Sequence, residues 1–381
     1  MAAQDPFIGR EILGGQFKIL EKIGTGGMGS VYKASQPEMN RMVGVKILHP
    51  KLNARKDLVS RFRREARAMS HLTHPNTVRV LLYGELEDGS LYIIMEFLEG
   101  KNLNQLVRTE GPLAAARAIG ILSQACGALD EAHKAGIIHR DLKPENIFVC
   151  QQGGIKDFAK VLDFGLAKVS ERELRPGSIM LTQEGMVFGT PEFMSPEQAQ
   201  GHTLTPASDI YSLAMILYEA LTGKLPFEAR GTMEFLQAQV LKKPIPLNSR
   251  VPGRTFSPEL EAVLTKAMEK PVEARYGTAT EFSAALEATL VNKSPSSRPN
   301  PLGQAVVPAV THADQRGRDA DPRAHAVEAS GPTSGSNVRP APAPSEHPPK
   351  APSKGPPMAI IAFSCIAIGA LLALVFMKFV K

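Results

Sequence analysis

The sequence predicts an α+β protein in which a sheet-rich first lobe precedes a helical second lobe, a disordered linker and one membrane-spanning helix. Strand-like segments come first along the chain, amphipathic helical patterns follow, and the composition changes sharply after the last helix. The predicted parts are a lead at 1–16, a domain at 17–291 with lobes at 17–98 and 99–291, a linker at 292–357, an apolar span at 358–378 and a tail at 379–381.

The first lobe is predicted to hold five strands and one helix. Its strand-like segments are rich in β-branched and aromatic residues and are bounded by Gly, Pro or Asp. The helix is predicted because Leu58, Phe62, Ala66 and Met69 recur at helical spacing and share one face. The strands lie at 17–24, 29–34, 42–48, 78–83 and 91–96, and the helix lies at 56–72.

The second lobe is predicted to be helical, because apolar residues recur at helical spacing after Gly111 and Pro112. The predicted helices lie at 113–135, 207–222, 233–241, 258–268 and 280–290. No internal repeat is visible, which favours one two-lobed domain over a repeat array.

The segment after the domain has a different character. Residues 294–357 contain fourteen prolines and no aromatic residue, so they cannot bury enough apolar surface to offset their ordering entropy. A disordered linker is expected, either as a flexible tether or as a docking segment. Residues 358–377 are uncharged and apolar, and a helix of this length spans the ~30 Å core of a bilayer. The alternative is a buried helix that folds back onto the domain.

The net charge of +6 does not indicate nucleic-acid binding. Residues 294–357 carry +2 and the last 24 residues carry +2, so only +2 remains on residues 1–293, where no basic stripe is interleaved with aromatic residues. Cys126, Cys150 and Cys365 are too few and too scattered for a disulfide framework or a zinc site. The N-terminus lacks the pattern of a secretory signal, so we expect the domain to stay in a reducing cytoplasm.

The most informative segment runs from His139 to Asn146 with the sequence HRDLKPEN, and Asp163-Phe164-Gly165 follows after sixteen residues. Transfer of a γ-phosphoryl group needs acids and amides that hold Mg²⁺ and a carboxylate that orients the acceptor hydroxyl. Asp141, Asn146 and Asp163 supply such groups in the required order, which predicts a phosphotransferase.

A glycine-rich stretch lies between the first two predicted strands and has the pattern GxGxxGxV. Glycines in a hairpin are commonly turn formers, so the pattern alone is weak. A dinucleotide-binding fingerprint would run from a strand into a helix, whereas this stretch continues as a strand. A loop that covers phosphates is the interpretation that fits the motifs further along the chain.

One lysine, Lys46, interrupts the apolar strand VGVKI. The alternation of this strand leaves open an ordinary surface lysine. The predicted helix nearby carries Glu65, and an ion pair between the two would hold the ammonium against nucleotide phosphates.

Together these motifs resemble a bacterial serine/threonine protein kinase of the eukaryotic-like, or Hanks, type, and the resemblance covers about residues 17–290. It implies the two-lobed protein kinase fold with ATP and Mg²⁺ as cofactors. It also implies that Asp141 is the catalytic base, that Lys143 neutralises the transferring phosphoryl group, that Asn146 and Asp163 bind Mg²⁺, and that Lys46 anchors the phosphates with Glu65. Lys143 is typical of serine/threonine rather than tyrosine specificity.

The resemblance further implies an ATP site between the lobes. Its residues would be Ile23, Gly24, Thr25, Gly26, Gly27, Met28, Gly29, Ser30, Val31, Gly44, Lys46, Met95, Glu96, Leu98, Glu99 and Phe148. Met95 would be the gatekeeper, and Glu96 and Leu98 would contact adenine through their backbone. Two positions depart from the family pattern, since Gly44 stands for the usual alanine and Phe148 for the usual leucine. We hypothesise that the missing methyl makes room for the larger ring.

Regulatory and structural roles are also implied. Arg140 would bind a phosphorylated activation segment, in which Thr182 is the predicted phosphosite, and Thr190 agrees with serine/threonine specificity. Glu184 either mimics a phosphate or is a solvated loop charge. The structural positions are an ion pair between Glu197 and Arg275, and Asp209, which would bind the catalytic-loop backbone.

The resulting expectation is a single-pass protein of the bacterial inner membrane with a cytoplasmic kinase domain. It would act in signalling on protein Ser/Thr hydroxyls, autophosphorylate, and pair with a second copy for that reaction in trans. Two other classes stay open. A catalytically silent scaffold would have lost Lys46, Asp141, Asn146 or Asp163, and none is lost. A small-molecule phosphotransferase is disfavoured by the segment around Thr190, which resembles a protein-substrate platform.

Overall fold

The computed structural model describes residues 5–26, 29–48, 56–164 and 190–291, without the side chains of residues 56–58 and 61. The predicted linker at 292–357 and apolar span at 358–378 lie outside these ranges. Within them, no helix combines the length and the apolar character needed to cross a bilayer.

The first lobe is built on a six-stranded antiparallel sheet. Its strands follow the spatial order β1-β2-β3-β4-β6-β5, so β4 lies in the interior of the sheet. The strands are β1 at Glu11–Ile12, β2 at Phe17–Gly26, β3 at Gly29–Gln36, β4 at Arg41–Leu48, β5 at Val80–Glu85 and β6 at Leu91–Glu96. The five strands predicted from the sequence are confirmed, with shifts of a few residues at their ends.

The predicted lead is partly joined to this sheet. Strand β1 pairs with β2, and Ile12 is buried in the core beneath the sheet. The Asp5 carboxylate accepts hydrogen bonds from the Tyr32 hydroxyl at 3.1 Å and from the Lys22 ammonium at 3.1 Å. Residues 5–16 therefore pack as part of the first lobe, although no strand was predicted there.

Helix α1 at Lys56–Ser70 is the predicted helix of the first lobe, and Phe62, Ala66 and Met69 on its predicted apolar face are buried. A second, three-stranded sheet was not predicted. It consists of β7 at Gly100–Asn102, β8 at Ile147–Gln152 and β9 at Ile155–Val161. The turn between β8 and β9 uses Gly153 and Gly154, both with positive φ (58° and 79°), which only glycine adopts without strain.

The second lobe is helical, as predicted. Its helices are α2 at Leu103–Glu110, α3 at Ala115–Lys134, α4 at Pro196–Ala199, α5 at Pro206–Thr222, α6 at Thr232–Leu241, α7 at Leu247–Arg250, α8 at Pro258–Ala267 and α9 at Ala279–Val291. Helix α5 is the centre of this lobe, because every residue from Ala207 to Thr222 except Glu219 is buried. A helix that is apolar all round can be stable only when other elements cover it on every side.

A buried ion pair joins α4 to the segment before α9. The Arg275 guanidinium contacts both carboxylate oxygens of Glu197, at 2.9 and 2.8 Å, and the Arg275 side chain is fully buried. Arg275 also donates to the carbonyl oxygens of Ala207, Glu269 and Lys270, so its charge is well compensated. The predicted pairing of Glu197 with Arg275 is present.

Glu219 is the one residue between Ala207 and Thr222 on α5 that is not fully buried. Burial raises the pKa of its carboxyl to about 7, and the nearby charge of Glu145 acts in the same direction. Arg108 opposes the shift and Glu192 adds to it. The folded protein therefore holds a proton on Glu219 at pH values where the unfolded chain, with a carboxyl pKa of 4.5, has lost it.

Loss of the buried ion pair should destabilise the protein strongly. We expect Glu197→Gln to lower the free energy of unfolding by about 3 to 5 kcal/mol, because it leaves the buried Arg275 charge without its partner. The matched control is Glu228→Gln. It removes a 2.7 Å ion pair between Glu228 and Arg250, in which the Glu228 side chain is 76% exposed. The control should cost less than about 1 kcal/mol. Urea unfolding of both variants measures the difference, and equal effects would contradict the buried-pair argument.

Stability should also depend on pH through Glu219. Between pH 4.5 and about 7 the folded state binds more protons at this group than the unfolded state does, so its contribution falls as pH rises. We expect Glu219→Gln to match the wild type near pH 4.5 and to exceed it at pH 8 by up to about 3 kcal/mol. Urea unfolding across this pH range measures the difference between the two curves. A constant difference at every pH would contradict the assignment.

Candidate active site

Lys46 lies in the interior of the first sheet and its ammonium reaches the edge of the second lobe. Strand β4 pairs with β3 through Val31 and with β6 through Ile93, so the backbone of Lys46 is fixed on both sides. Its Nζ is 2.7 Å from Oδ1 of Asp163, and only 10% of the lysine side chain is exposed. The structure thus brings together two of the predicted phosphate- and metal-binding residues across the two lobes.

The predicted partner of Lys46 was Glu65, and this pair is not among the ion pairs formed by the described residues. Glu65 is half-buried on α1. Asp163 occupies the predicted place of Glu65 beside the ammonium, because an opposite charge at 2.7 Å in a nearly buried setting is strongly favoured. The sequence analysis assigned Glu65 to Lys46 and Asp163 to Mg²⁺.

The segment from Asp141 to Asn146 forms a compact loop that ends in a short 3-10 turn at Pro144–Asn146. The Lys143 ammonium lies 3.3 Å from the Asp141 carboxylate. The Asn146 side chain donates through Nδ2 to the Asp141 backbone oxygen at 2.8 Å. These three predicted residues are therefore neighbours, and the loop is held by its own side chains.

Two hydrogen bonds connect this loop to Leu162, which lies between the end of β9 and Asp163. Leu162 donates its N–H to the Asn146 carbonyl oxygen at 2.8 Å. His139 approaches the Leu162 carbonyl oxygen with Nε2 at 2.8 Å, and the Asp141 N–H lies 3.3 Å from its Nδ1. A carbonyl oxygen can only accept, so Nε2 carries the proton and Nδ1 accepts. Burial lowers the pKa of His139, which keeps the ring neutral and suits this arrangement.

Asp209 holds the backbone before Asp141. Its carboxylate accepts the N–H groups of His139 at 2.8 Å and Arg140 at 3.0 Å, as the sequence predicted, and it also contacts Nε2 of His133 at 2.7 Å. Arg140 has a positive φ of 67°, a conformation that costs a non-glycine residue roughly 1 to 3 kcal/mol unless surrounding contacts fix it. Asp209 supplies those contacts.

The glycine-rich stretch forms the adjoining ends of β2 and β3, in which Gly26 pairs with Gly29. A side chain at Gly29 would collide with the backbone of Ile47, since a Cβ there would lie 2.1 Å from the Ile47 oxygen. A Cβ at Gly24 or Gly26 would meet nothing within 4 Å in the described part of the chain. Gly29 is therefore required by packing, whereas Gly24 and Gly26 keep a surface open that would fit the phosphates of a nucleotide.

The other predicted residues of this stretch occupy varied environments. Ile23 and Thr25 are exposed, Val31 is half-buried, and Ser30 is buried. Gly27 and Met28 lie outside the described residues.

The predicted adenine contacts lie at the end of β6 and just beyond it. Gly44 pairs directly with Met95, and a Cβ at Gly44 would lie 3.2 Å from Cγ of Met95 and 3.7 Å from the Glu96 backbone oxygen. The atom nearest to the place that a methyl group at Gly44 would occupy therefore belongs to Met95, the predicted gatekeeper. Phe148 lies on the other sheet, where β8 pairs it with Lys160 and Asn102.

Leu98 and Glu99 lie between β6 and β7, outside both strands. Leu98 is half-buried and Glu99 is exposed. Their backbone groups are thus not committed to either sheet, as contacts to a nucleotide would require.

Lys160 is a residue that the sequence analysis missed. It is 4% exposed on β9, and its ammonium lies 2.7 Å from Oε1 of Glu96. The same carboxylate oxygen accepts the Arg79 N–H at 2.7 Å, and the Glu96 N–H donates to the Arg79 oxygen at 3.0 Å. The ion pair ties the strand end that precedes Leu98 to the strand that leads to Asp163. Its sequence signal is weak, because a lysine in a strand reads as a surface residue.

The donor set fits Mg²⁺. Asn146 uses its amide nitrogen to hold Asp141, so its side-chain oxygen is the atom left to act as a ligand, and Asp163 contributes a carboxylate. Mg²⁺ is typically held by one or two carboxylates with waters and substrate phosphates, rather than by an all-protein cage. The described residues contain no cluster of three or more His, Cys, Asp or Glu that could hold a metal.

Only some of the predicted regulatory positions lie within the described residues. Thr190 is half-buried and begins a 3-10 turn at Pro191–Phe193. The Arg140 backbone oxygen accepts a 2.9 Å hydrogen bond from the side chain of Gln198, which fastens this region to the catalytic loop. Thr182 and Glu184 lie outside the described residues.

Comparison with known proteins agrees with this geometry. The family model described as "Protein kinase domain" matches residues 17–287. Serine/threonine-protein kinase pkn3 of Myxococcus xanthus is 42% identical over 284 residues, which are 74% of this chain and 51% of that protein. Pkn1 of the same organism is 39% identical over 90% of this chain and 49% of its own length. PknB of Mycobacterium tuberculosis is 39% identical over 77% and 46%. The chain thus spans about half the length of the curated relatives it matches.

Solved structures show the same fold. The PknI kinase domain of Mycobacterium tuberculosis matches with a TM-score of 0.57 at 24% identity and covers 74% of this chain and 98% of that one. Rad53 1-466 in complex with AMP-PNP matches with a TM-score of 0.58 at 25% identity and covers 71% and 64%. With the family model covering most of the sequence and bacterial relatives at about 40% identity, this chain belongs to the protein kinase family, in its bacterial Hanks-type serine/threonine branch.

Proposed function

We propose that this protein is a serine/threonine protein kinase that transfers the γ-phosphate of ATP to Ser or Thr hydroxyls of proteins. The observation that carries the proposal is the meeting of Lys46, Asp141, Lys143, Asn146 and Asp163 around one edge between the two lobes. The link between Leu162 and Asn146 joins the two groups of residues into one site. The curated relatives are named as serine/threonine-protein kinases, which supports the same reaction.

The residues of the chain have distinct parts in this reaction. When bound, Mg²⁺ and ATP supply the charge neutralisation and the phosphoryl group. Lys46 would hold the phosphates, and Asn146 and Asp163 would hold the metal. Asp141 would orient the acceptor hydroxyl and take its hydrogen bond, while Lys143 would compensate negative charge beside it.

The regulatory and membrane roles form a wider proposal. Autophosphorylation at Thr182, with Arg140 as the binding partner of the phosphate, is supported by the position of Arg140 directly before Asp141. Anchoring by the apolar segment 358–378 would place the protein in the bacterial inner membrane with its kinase domain in the cytoplasm, where ATP is present. Two anchored copies would phosphorylate each other efficiently, because a shared membrane raises their local concentration.

Transfer to protein should depend on Asp141. With radiolabelled ATP and Mg²⁺, we expect the wild type to label itself and dephosphorylated casein, and Asp141→Asn to reduce the rate by about 10²- to 10⁴-fold. Nucleotide retention, followed by fluorescence of a labelled ATP analogue, should be similar in both, since Asp141 contacts the acceptor. A wild type that binds nucleotide and labels no protein would support the silent scaffold instead. Labelling of a small metabolite alone would support the small-molecule phosphotransferase.

The adenine site should respond to a single methyl group at Gly44. We expect Gly44→Ala to raise the KM for ATP at least severalfold, because the new Cβ would lie 3.2 Å from Met95 and 3.7 Å from the Glu96 oxygen. The matched control is Gly120→Ala on α3, where a Cβ would meet nothing within 4 Å in the described structure. Steady-state kinetics with varied ATP measures both variants. A KM for Gly44→Ala at the wild-type value would refute the tight pocket.

A further inference from the structure

A buried glutamine holds the turn that follows Thr190. Gln239 on α6 is completely buried, and its Nε2 donates to the backbone oxygens of Pro191 at 3.1 Å and Glu192 at 2.7 Å. Its Oε1 accepts the hydroxyl proton of Tyr211 at 2.6 Å. An amide nitrogen has two donors, and both are used on consecutive carbonyl groups of one turn.

The orientation of this amide is fixed by its neighbours. The Tyr211 hydroxyl accepts a 3.1 Å hydrogen bond from the Lys270 ammonium, which has only donors. The Tyr211 proton must therefore point to Gln239, and the amide oxygen must face Tyr211. The Lys270 ammonium lies 4.6 Å from the centre of the Phe227 ring and 5.4 Å from that of Tyr211, which keeps it at the inner end of this chain of hydrogen bonds.

A second side chain acts on the same turn. Ser212, next to Tyr211 on α5, donates its hydroxyl to the Phe193 oxygen at 2.7 Å. The carbonyl groups of three successive residues, Pro191, Glu192 and Phe193, are thus held by side chains of α5 and α6. The turn at Pro191–Phe193 has only three residues, so its position is set by these outside contacts more than by its own backbone.

The held turn borders the catalytic loop. Residues 190–194 lead into α4, whose Gln198 donates to the Arg140 oxygen, one residue before Asp141. This hydrogen bond places the stretch next to the backbone that precedes Asp141, so a polypeptide whose hydroxyl reached Asp141 would lie close to it. We propose that Gln239, oriented by Tyr211 and Lys270, is a positioning residue for the protein acceptor, because it holds the turn at 190–194 in register with Asp141. This inference rests on the proposed kinase function.

A change at Gln239 should therefore affect the KM for the protein acceptor and not the KM for ATP. Gln239 contacts the turn at Pro191–Phe193, whereas the groups assigned to ATP and Mg²⁺ lie on β2, β3, β4, β6 and β8, between β6 and β7, at Asn146 and at Asp163. We expect Gln239→Leu, which removes the side-chain donor to the Pro191 and Glu192 carbonyls and the acceptor of the Tyr211 hydroxyl proton, to raise the KM for the protein acceptor roughly tenfold. The KM for ATP and the rate of ATP hydrolysis without acceptor should stay at the wild-type values.

A matched pair of tyrosine variants separates positioning from stability. Tyr211 and Tyr218 lie on the same helix, both are buried, and the Tyr218 hydroxyl donates to the Ile245 oxygen at 2.6 Å, away from the turn. Each change to Phe removes one buried hydroxyl. Tyr211→Phe should raise the acceptor KM severalfold, whereas Tyr218→Phe should leave it unchanged.

The experiment is steady-state kinetics of the full chain with ATP and either dephosphorylated casein or the Asp141→Asn chain as acceptor, with thermal unfolding of every variant. An unchanged acceptor KM in Tyr211→Phe and Gln239→Leu, or an equal rise in Tyr218→Phe, would overturn the inference. Should Gln239→Leu fail to fold, the two tyrosine variants decide alone. A wild type that labels neither acceptor would overturn the kinase proposal together with the inference, and this is seen before any variant is compared.

Discussion

The hydrogen bonds of one buried carboxylate, Asp209, are the constraint on which the catalytic loop depends. Only 1% of this residue is exposed, and it receives two successive backbone N–H groups of the loop as well as His133. A carboxylate is tolerated at such depth because each of these donors compensates its charge. The strained backbone of Arg140 can persist next to Asp141 because its N–H is held there. Without the Asp209 carboxylate, Arg140 would relax to an ordinary backbone conformation.

The segment at the end of strand β9 connects this loop to the first lobe. Lys160 pairs with Glu96 at the end of the first lobe, Leu162 exchanges hydrogen bonds with the catalytic loop, and Asp163 reaches Lys46. These contacts come within four consecutive positions of the chain. Lys160 lies in β9, whereas Leu162 and Asp163 follow its last residue, so the first lobe and the catalytic loop are both contacted at the C-terminal end of this strand. The residues predicted to contact metal, phosphate and adenine are therefore connected through one short segment of the chain.

The sequence predicted the parts that depend on local pattern. Strand β6 and the long helices were recognised because their periodicity is strong, and the order of motifs identified the site. Strands β8 and β9 were missed even though Gly153-Gly154 between two apolar runs is a typical hairpin signal. Lys160 and Gln239 were missed for a different reason. Their partners lie 64 and 48 residues away along the chain, and a local pattern reports nothing about such pairings.

Helix α5 contacts both the catalytic loop and the turn at Pro191–Phe193. Asp209 holds the catalytic loop. Tyr211, two residues further on, binds Gln239, which holds the turn, and Ser212, three residues further on, binds the turn directly. Three residues of a helix advance about 4.5 Å along its axis, and a helix buried on all sides cannot bend or shift without opening the core. The spacing between the turn at Pro191–Phe193 and Asp141 is thus fixed by a single rigid element. The ion pairs that join the first lobe to the end of β9, Lys46 with Asp163 and Glu96 with Lys160, connect separate elements and do not involve α5.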